Sequence, residues 1–212
     1  MTKQEFLSMN DHSLLKPHLT KKEIMEGLQY AKDNHCASVC INPCNLDIAR
    51  EVLEGSDVKI GFPSGAHTTF SKVAEAIDAY ARGAVELDMV IDIGALRNGE
   101  YDDVYNDIKA VVDATPAVVK VILENCYLTK EQIVKGCQLC EKAGADFVKT
   151  STGFAEGGAT VEDIKLMRES VSEKVHVKAA GGIHSKEDVE ALVAAGADRV
   201  GVSRTQAIAA EF

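Results

Sequence analysis

Ala145-Asp146-Phe147-Val148-Lys149-Thr150-Ser151-Thr152-Gly153 is a short apolar run with an ammonium inside it, closed by hydroxyl residues and glycine. Val175-His176-Val177-Lys178-Ala179-Ala180-Gly181-Gly182 repeats the arrangement. Runs of this kind read as strands buried on both faces, as in a parallel sheet covered by helices, and such strands normally exclude lysine. Lys149 and Lys178 therefore need a reason to be there, and the rest of the chain is read around them.

Working outward, apolar segments of four to seven residues alternate with amphipathic stretches of ten to sixteen, the rhythm of βαβ units. Strands are predicted at 9–15, 37–42, 58–62, 85–91, 118–124, 146–151, 175–180 and 199–203. Eight such units fit either a closed (β/α)8 TIM barrel of class α/β or an open doubly wound sheet. No G-x-G-x-x-G follows the first strand, and glycine-bearing loops follow the last two, which favours the barrel. At 212 residues it would be a lean one, since the usual barrel has about 250.

A weak repeat gives the depth of each strand. Arg82-Gly83-Ala84-Val85, Ala143-Gly144-Ala145-Asp146 and Ala195-Gly196-Ala197-Asp198 each end a helix with a glycine, the residue suited to a left-handed cap, and lead into a strand. Counting five residues from each glycine reaches Asp88, Lys149 and Gly201, and the same count from His35 reaches Cys40; these four are predicted to share one depth. Side chains alternate along a strand, so if Leu87, Met89, Val148, Val175, Val177, Val200 and Val202 face the helices, then Glu86, Asp88, Lys120, Glu124, Lys149, His176, Lys178, Arg199 and Ser203 face the axis. Within that ionisable interior, Glu86, Lys120 and Arg199 are accounted for by a buried ion-pair network that holds strands in register.

Composition narrows the function. The chain is 46% hydrophobic, and its four prolines are scattered with no linker between them, so one domain over residues 1–212 is expected. A net charge of -10 without a basic cluster argues against nucleic acid. No run of about eighteen apolar residues and no signal core are present, so a cytoplasmic protein with no membrane partner is expected. The six cysteines read as reduced thiols. Cys137-x-x-Cys140 lies in a helical stretch without two further ligands at zinc spacing, so no metal is expected.

Reactive groups of barrel enzymes sit at the C-terminal ends of strands, where Asp88, Lys149 and Lys178 fall. Two cations crowded in a poorly hydrated pocket disfavour each other's charge, so one amine loses its proton near neutral pH and can attack a carbonyl. The resulting Schiff base lets a neighbouring C–C bond form or break with no cofactor, while a carboxylate such as Asp88 moves protons. Ala180-Gly181-Gly182-Ile183 and Gly201-Val202-Ser203-Arg204, after strands seven and eight, read as a phosphate site, to which Ser203 adds a hydroxyl and Arg204 a charge. Thr150-Ser151-Thr152-Gly153 would close the pocket from the other side.

These residues resemble deoxyribose-phosphate aldolase, a class I aldolase family. The matching segments are Asp11-His12-Ser13-Leu14-Leu15-Lys16-Pro17, Ser38-Val39-Cys40-Ile41-Asn42-Pro43, Gly61-Phe62-Pro63-Ser64-Gly65-Ala66, Glu86-Leu87-Asp88-Met89-Val90-Ile91, Lys120-Val121-Ile122-Leu123-Glu124, Phe147 to Phe154, and Lys178 to Ile183. The resemblance implies a barrel that reversibly cleaves 2-deoxy-D-ribose 5-phosphate to D-glyceraldehyde 3-phosphate and acetaldehyde. It makes Lys149 the Schiff-base lysine, Lys178 the lysine that tunes it and Asp88 the proton donor and acceptor. Asp11, Ser13 and Cys40 match pocket positions; Gly153, Gly181, Gly182 and Ser203 match the phosphate site.

A homo-oligomer, dimer or tetramer, is expected. Alternatives are a related Schiff-base aldolase for another phosphorylated aldehyde and a silent phosphosugar-binding barrel. The chain departs from the family pattern in a shortened segment around Val58-Lys59-Ile60-Gly61-Phe62-Pro63, in Phe70 and Asp92, and in ending at Glu211-Phe212 without a tyrosine tail.

Overall fold

The computed structural model describes residues 1–65 and 67–212, with Phe62, Pro63 and Ser64 described by their backbone alone. Eight parallel strands close on themselves in chain order: β1 Asn10–Leu14, β2 Ser38–Ile41, β3 Lys59–Ser64, β4 Glu86–Val90, β5 Val118–Ile122, β6 Phe147–Lys149, β7 His176–Ala180 and β8 Arg199–Val202. Pairing of β1 with β8 completes the ring, so the open doubly wound alternative is excluded. Helices follow the strands, among them Lys21–Asp33, Thr69–Ala81, Lys130–Ala143 and Lys186–Ala194. Their starts are local: Thr20, Thr129 and Ser185 each accept from the backbone N–H three residues on and donate their own N–H to that residue's side-chain oxygen.

The glycines of the repeat are left-handed, with φ of +100° at Gly83, +88° at Gly144 and +113° at Gly196. His35 takes φ +51° at the corresponding place, which is why a count starting from it works. The shortened segment around Val58 to Pro63 still supplies a whole third strand: β3 runs for six residues, paired with β2 and β4. The other side chains of that motif, Phe62 to Ser64, and Ala66 lie outside the described residues.

The register settles the depths. Around the ring each strand is offset so that Cys40, Asp88, Lys149 and Gly201, on the even strands, advance by two residues from one to the next, and Asp11, Gly61, Lys120 and Lys178 do the same on the odd strands. With Ser38, Glu86, Phe147 and Arg199 beneath them, these make three layers of four residues contributed by alternate strands, glycine standing at one position in each of the upper two, the interior of a (β/α)8 barrel. Outside the barrel, Leu87, Met89, Val148, Val177, Val200 and Val202 join the helices in one apolar cluster. Each such buried side chain contributes about 1.5–3 kcal/mol. Cys137 and Cys140 belong to that cluster, and burial lifts the Cys137 thiol up to about 12 and that of Cys140 well above its usual value.

Two inward residues sit differently from expectation. Glu124 lies beyond the end of β5 with a left-handed backbone, φ +56°, and its carboxylate accepts from the backbone N–H of Thr152 at 3.1 Å and from the Thr152 hydroxyl at 2.5 Å. His176 opens onto solvent at the N-terminal mouth, its ring tilted against Phe147 with centroids 4.9 Å apart and facing Asp198. Asp92, one of the departures, caps the helix Ile93–Asn98 by accepting from the Ala95 N–H at 2.9 Å.

Candidate active site

The lower two layers form a dry floor of paired charges. Lys120 Nζ lies 2.9 Å from Asp11 Oδ2 and also pairs with Glu86. Arg199 donates to Asp11 through Nε at 2.9 Å and sits 3.2 Å from Glu86 Oε2. This is the network expected for Glu86, Lys120 and Arg199, with Asp11 as its hub. Burial pushes the Asp11 carboxyl up, but Lys120, Lys178 and Arg199 outweigh it and hold Asp11 well below the usual carboxylate range.

On that floor stand the groups with unequal proton affinities. Asp88 Oδ2 is 2.7 Å from Lys149 Nζ and 2.7 Å from Lys178 Nζ. Lys178 also pairs with Asp11, and burial, which would lower it, is overcome by Asp11 and Asp88, so it is held well above the ordinary lysine value. Lys149 is lowered: burial is the main cause, the Lys178 charge adds to it, and Asp88 only partly opposes. Asp88 stays ionised, its burial outweighed by Lys120, Lys149 and Lys178. Its other oxygen, Oδ1, faces Lys120 Nζ at 3.3 Å yet accepts no aligned hydrogen bond.

Above these groups a cleft of about 360 Å³ opens at the C-terminal ends of the strands. Of the sequence-predicted residues it is lined by Asp11, Ser13, Cys40, Lys149, Gly153, Lys178, Gly181, Gly182, Ser203 and Arg204, while Asp88 sits buried beneath. Thr150 does not line it. Its hydroxyl donates to the Ala180 carbonyl and accepts from the Ala180 N–H, both at 3.1 Å, which fastens β6 to β7. Gly181 and Gly182 take φ of +77° and +70°, and the loop of Gly158 presses on them: an added Cβ on Gly158 would stand 2.4 Å from the Gly181 carbonyl.

Thr152 lines the cleft, as expected of the loop that closes it, and so do Lys16, Phe154 and His184, to which the sequence reading gives no role of their own. Each of these three lies just beyond a predicted strand or loop motif, and the signal that could have found them is that position, at the strands' C-terminal ends.

Asp11, Cys40 and Asp88 offer three clustered metal-ligand atoms. Lys178 Nζ already stands among them, 2.7 Å from Asp88 and 3.8 Å from Cys40 Sγ, so an ammonium supplies the cation there. Burial raises the Cys40 thiol, which keeps it protonated in the cleft wall.

A closed parallel barrel with a carboxylate shared between two buried lysines at its catalytic end defines the chain as an aldolase barrel. The model of the DeoC/LacD family aldolases matches residues 5–205, and the chain belongs to that family. It is 54% identical over 212 residues to the deoxyribose-phosphate aldolase of Thermoanaerobacter pseudethanolicus, covering 96% of this chain and 95% of that protein. Among solved structures, the aldolase QR15 superposes with a TM-score of 0.93 at 40% identity, covering 98% of this chain and 95% of that one. The tetrameric deoxyribose phosphate aldolase of Aeropyrum pernix superposes with a TM-score of 0.91 at 28% identity, covering 99% of this chain and 91% of that one. Among the described residues no helix is long and apolar enough to cross a membrane.

Proposed function

We propose that the chain is a cytoplasmic class I deoxyribose-phosphate aldolase acting as one domain over residues 1–212, assembled as a homo-oligomer. The observation that carries this reading is the single oxygen, Asp88 Oδ2, placed 2.7 Å from both Lys149 Nζ and Lys178 Nζ while the two lysines are driven in opposite directions. It places an amine that holds its proton less firmly than an ordinary lysine next to a firmly protonated ammonium and an ionised carboxylate, the groups that imine chemistry on an aldehyde uses.

In the cleavage direction the Lys149 amine adds to C1 of open-chain 2-deoxyribose 5-phosphate, and loss of water gives an iminium. A proton leaves the C3 hydroxyl, the C3–O carbonyl forms, the C2–C3 bond breaks and its electron pair runs into the iminium nitrogen. Glyceraldehyde 3-phosphate departs, leaving an enamine. Protonation at C2 and hydrolysis then release acetaldehyde and restore the amine. Asp88, which accepts from Lys149 Nζ at 2.7 Å, is the group that carries these protons; Lys178 keeps its own proton and so keeps that of Lys149 labile. Gly153, Gly181, Gly182, Ser203 and Arg204 take the phosphate, while Asp11, Ser13 and Cys40 line the sugar end and Thr150 braces the loop.

Treatment with acetaldehyde and borohydride is expected to fix a two-carbon adduct on the Lys149 peptide and abolish turnover, and Lys149→Ala to lose both label and activity. An unlabelled Lys149 with undiminished turnover rules the mechanism out.

A further inference from the structure

Asp11-His12-Ser13 sends its first and third side chains to the axis and His12 outward, where no part of the chemistry above uses it. His12 is nonetheless buried, as is Asn10, and both meet one atom. Thr205 Oγ1 lies 3.0 Å from Asn10 Nδ2, 2.7 Å from His12 Nδ1 and 3.3 Å from the Val202 carbonyl. A hydroxyl has one proton to give and two lone pairs to fill. All three contacts are satisfied in one way: Asn10 and the Nδ1–H of His12 donate to Thr205, and Thr205 donates to Val202. That leaves His12 Nε2 as an unpartnered acceptor, as is found, and burial, which pulls His12 down to about 4, keeps the ring neutral.

Val202 and Thr205 are the two ends of the turn that holds Ser203 and Arg204 in the cleft. Ser203 and Arg204 are themselves exposed, so that turn is held from behind. We propose that Asn10, His12 and Thr205 are positioning residues that set the Val202–Thr205 turn for the phosphate of the substrate without touching it, from the outer face of β1. This rests on the reading that the Ser203-Arg204 loop takes the phosphate.

The test compares KM for 2-deoxyribose 5-phosphate with KM for unphosphorylated 2-deoxyribose. Thr205→Val keeps shape and removes the hydroxyl. It is expected to raise KM for the phosphorylated sugar about tenfold, the size of one or two lost hydrogen bonds, with kcat nearly unchanged and KM for the plain sugar unmoved. Thr205→Ser is expected to restore the ratio. His12→Leu, which removes one of the two donors, is expected to give a smaller shift in the same sense and serves where Thr205→Val does not fold. A ratio equal to wild type in either folded variant, or an equal loss for both sugars, overturns the proposal. A wild type with no preference for the phosphorylated sugar overturns instead the reading beneath it.

Discussion

At the scale of single residues, the proposed site depends on burial and charge being distributed unequally over two chemically identical side chains. Lys178 has Asp11 and Asp88 as partners; Lys149 has only a share of Asp88 and faces Lys178 as well. In the proposed mechanism turnover needs Lys149 unprotonated, so the acidic limb of the pH–rate profile is expected to follow its proton affinity. Removing Lys178 removes the cation that lowers Lys149 and leaves Asp88 to raise it. Lys178→Met is therefore expected to move that limb to higher pH and to lower kcat/KM at neutral pH about tenfold for each pH unit of displacement. A limb that stays in place would mean that Lys178 does not tune Lys149. This pair was readable in the sequence because lysine in an apolar strand is conspicuous. His12 was not, because a histidine on the helix-facing side of a strand looks like any packed side chain until Thr205 is brought beside it.

At the scale of elements, the strands fix the lysines and the loops fix what they meet. Leu123 N–H donates to the Lys149 carbonyl and Asn125 N–H to the Thr150 carbonyl, at 3.0 and 2.9 Å, so β5 and β6 stay laced beyond their ends as far as the Glu124–Thr152 clamp. The left-handed backbone of Glu124 costs of order 1–3 kcal/mol and is held by that clamp. On the other side, the Ala159 N–H donates to the Ala180 and Gly181 carbonyls, and Gly158 packs on Gly181. Gly158→Ala would force its Cβ into that backbone. A stability loss of about 1–3 kcal/mol is expected in thermal melts, together with a raised KM for the phosphorylated sugar. Strand order and depth were legible, since alternation and the glycine repeat carry them. The ends of β5 and β6, and the inward position of Thr152 rather than Thr150, were not, because they depend on bonds between loops distant in the chain.

At the scale of the whole molecule, Asp11 anchors Lys120, Lys178 and Arg199, contributed by β5, β7 and β8. Asp11→Asn strips the shared anion from three buried cations, and a loss of about 3–5 kcal/mol is expected in denaturant titration. The pH dependence has a definite sign. Asp11 and Asp88 have folded values below the unfolded one, so their contribution is fully present above the ordinary carboxylate value of about 4 and is lost as pH falls through their folded values. Lys178 is raised, so its contribution is present below the ordinary lysine value of about 10.4 and is lost only in strong alkali. Melting temperature is thus expected to hold from neutral pH down to about 4 and then to fall, with Asp11→Asn flattening the fall.

The closing of β1 on β8 has one more effect. The proton affinity of Lys149 is lowered only inside the finished ring, where the amine is buried and Lys178 is held nearby. In a chain still being made, or one partly unfolded, the same amine is hydrated and protonated at neutral pH, and a protonated amine does not attack aldehydes. On the proposed mechanism the fold therefore acts as a safety catch: the lowered proton affinity of Lys149 belongs to the closed ring, and an incomplete molecule is less reactive toward the carbonyl compounds around it.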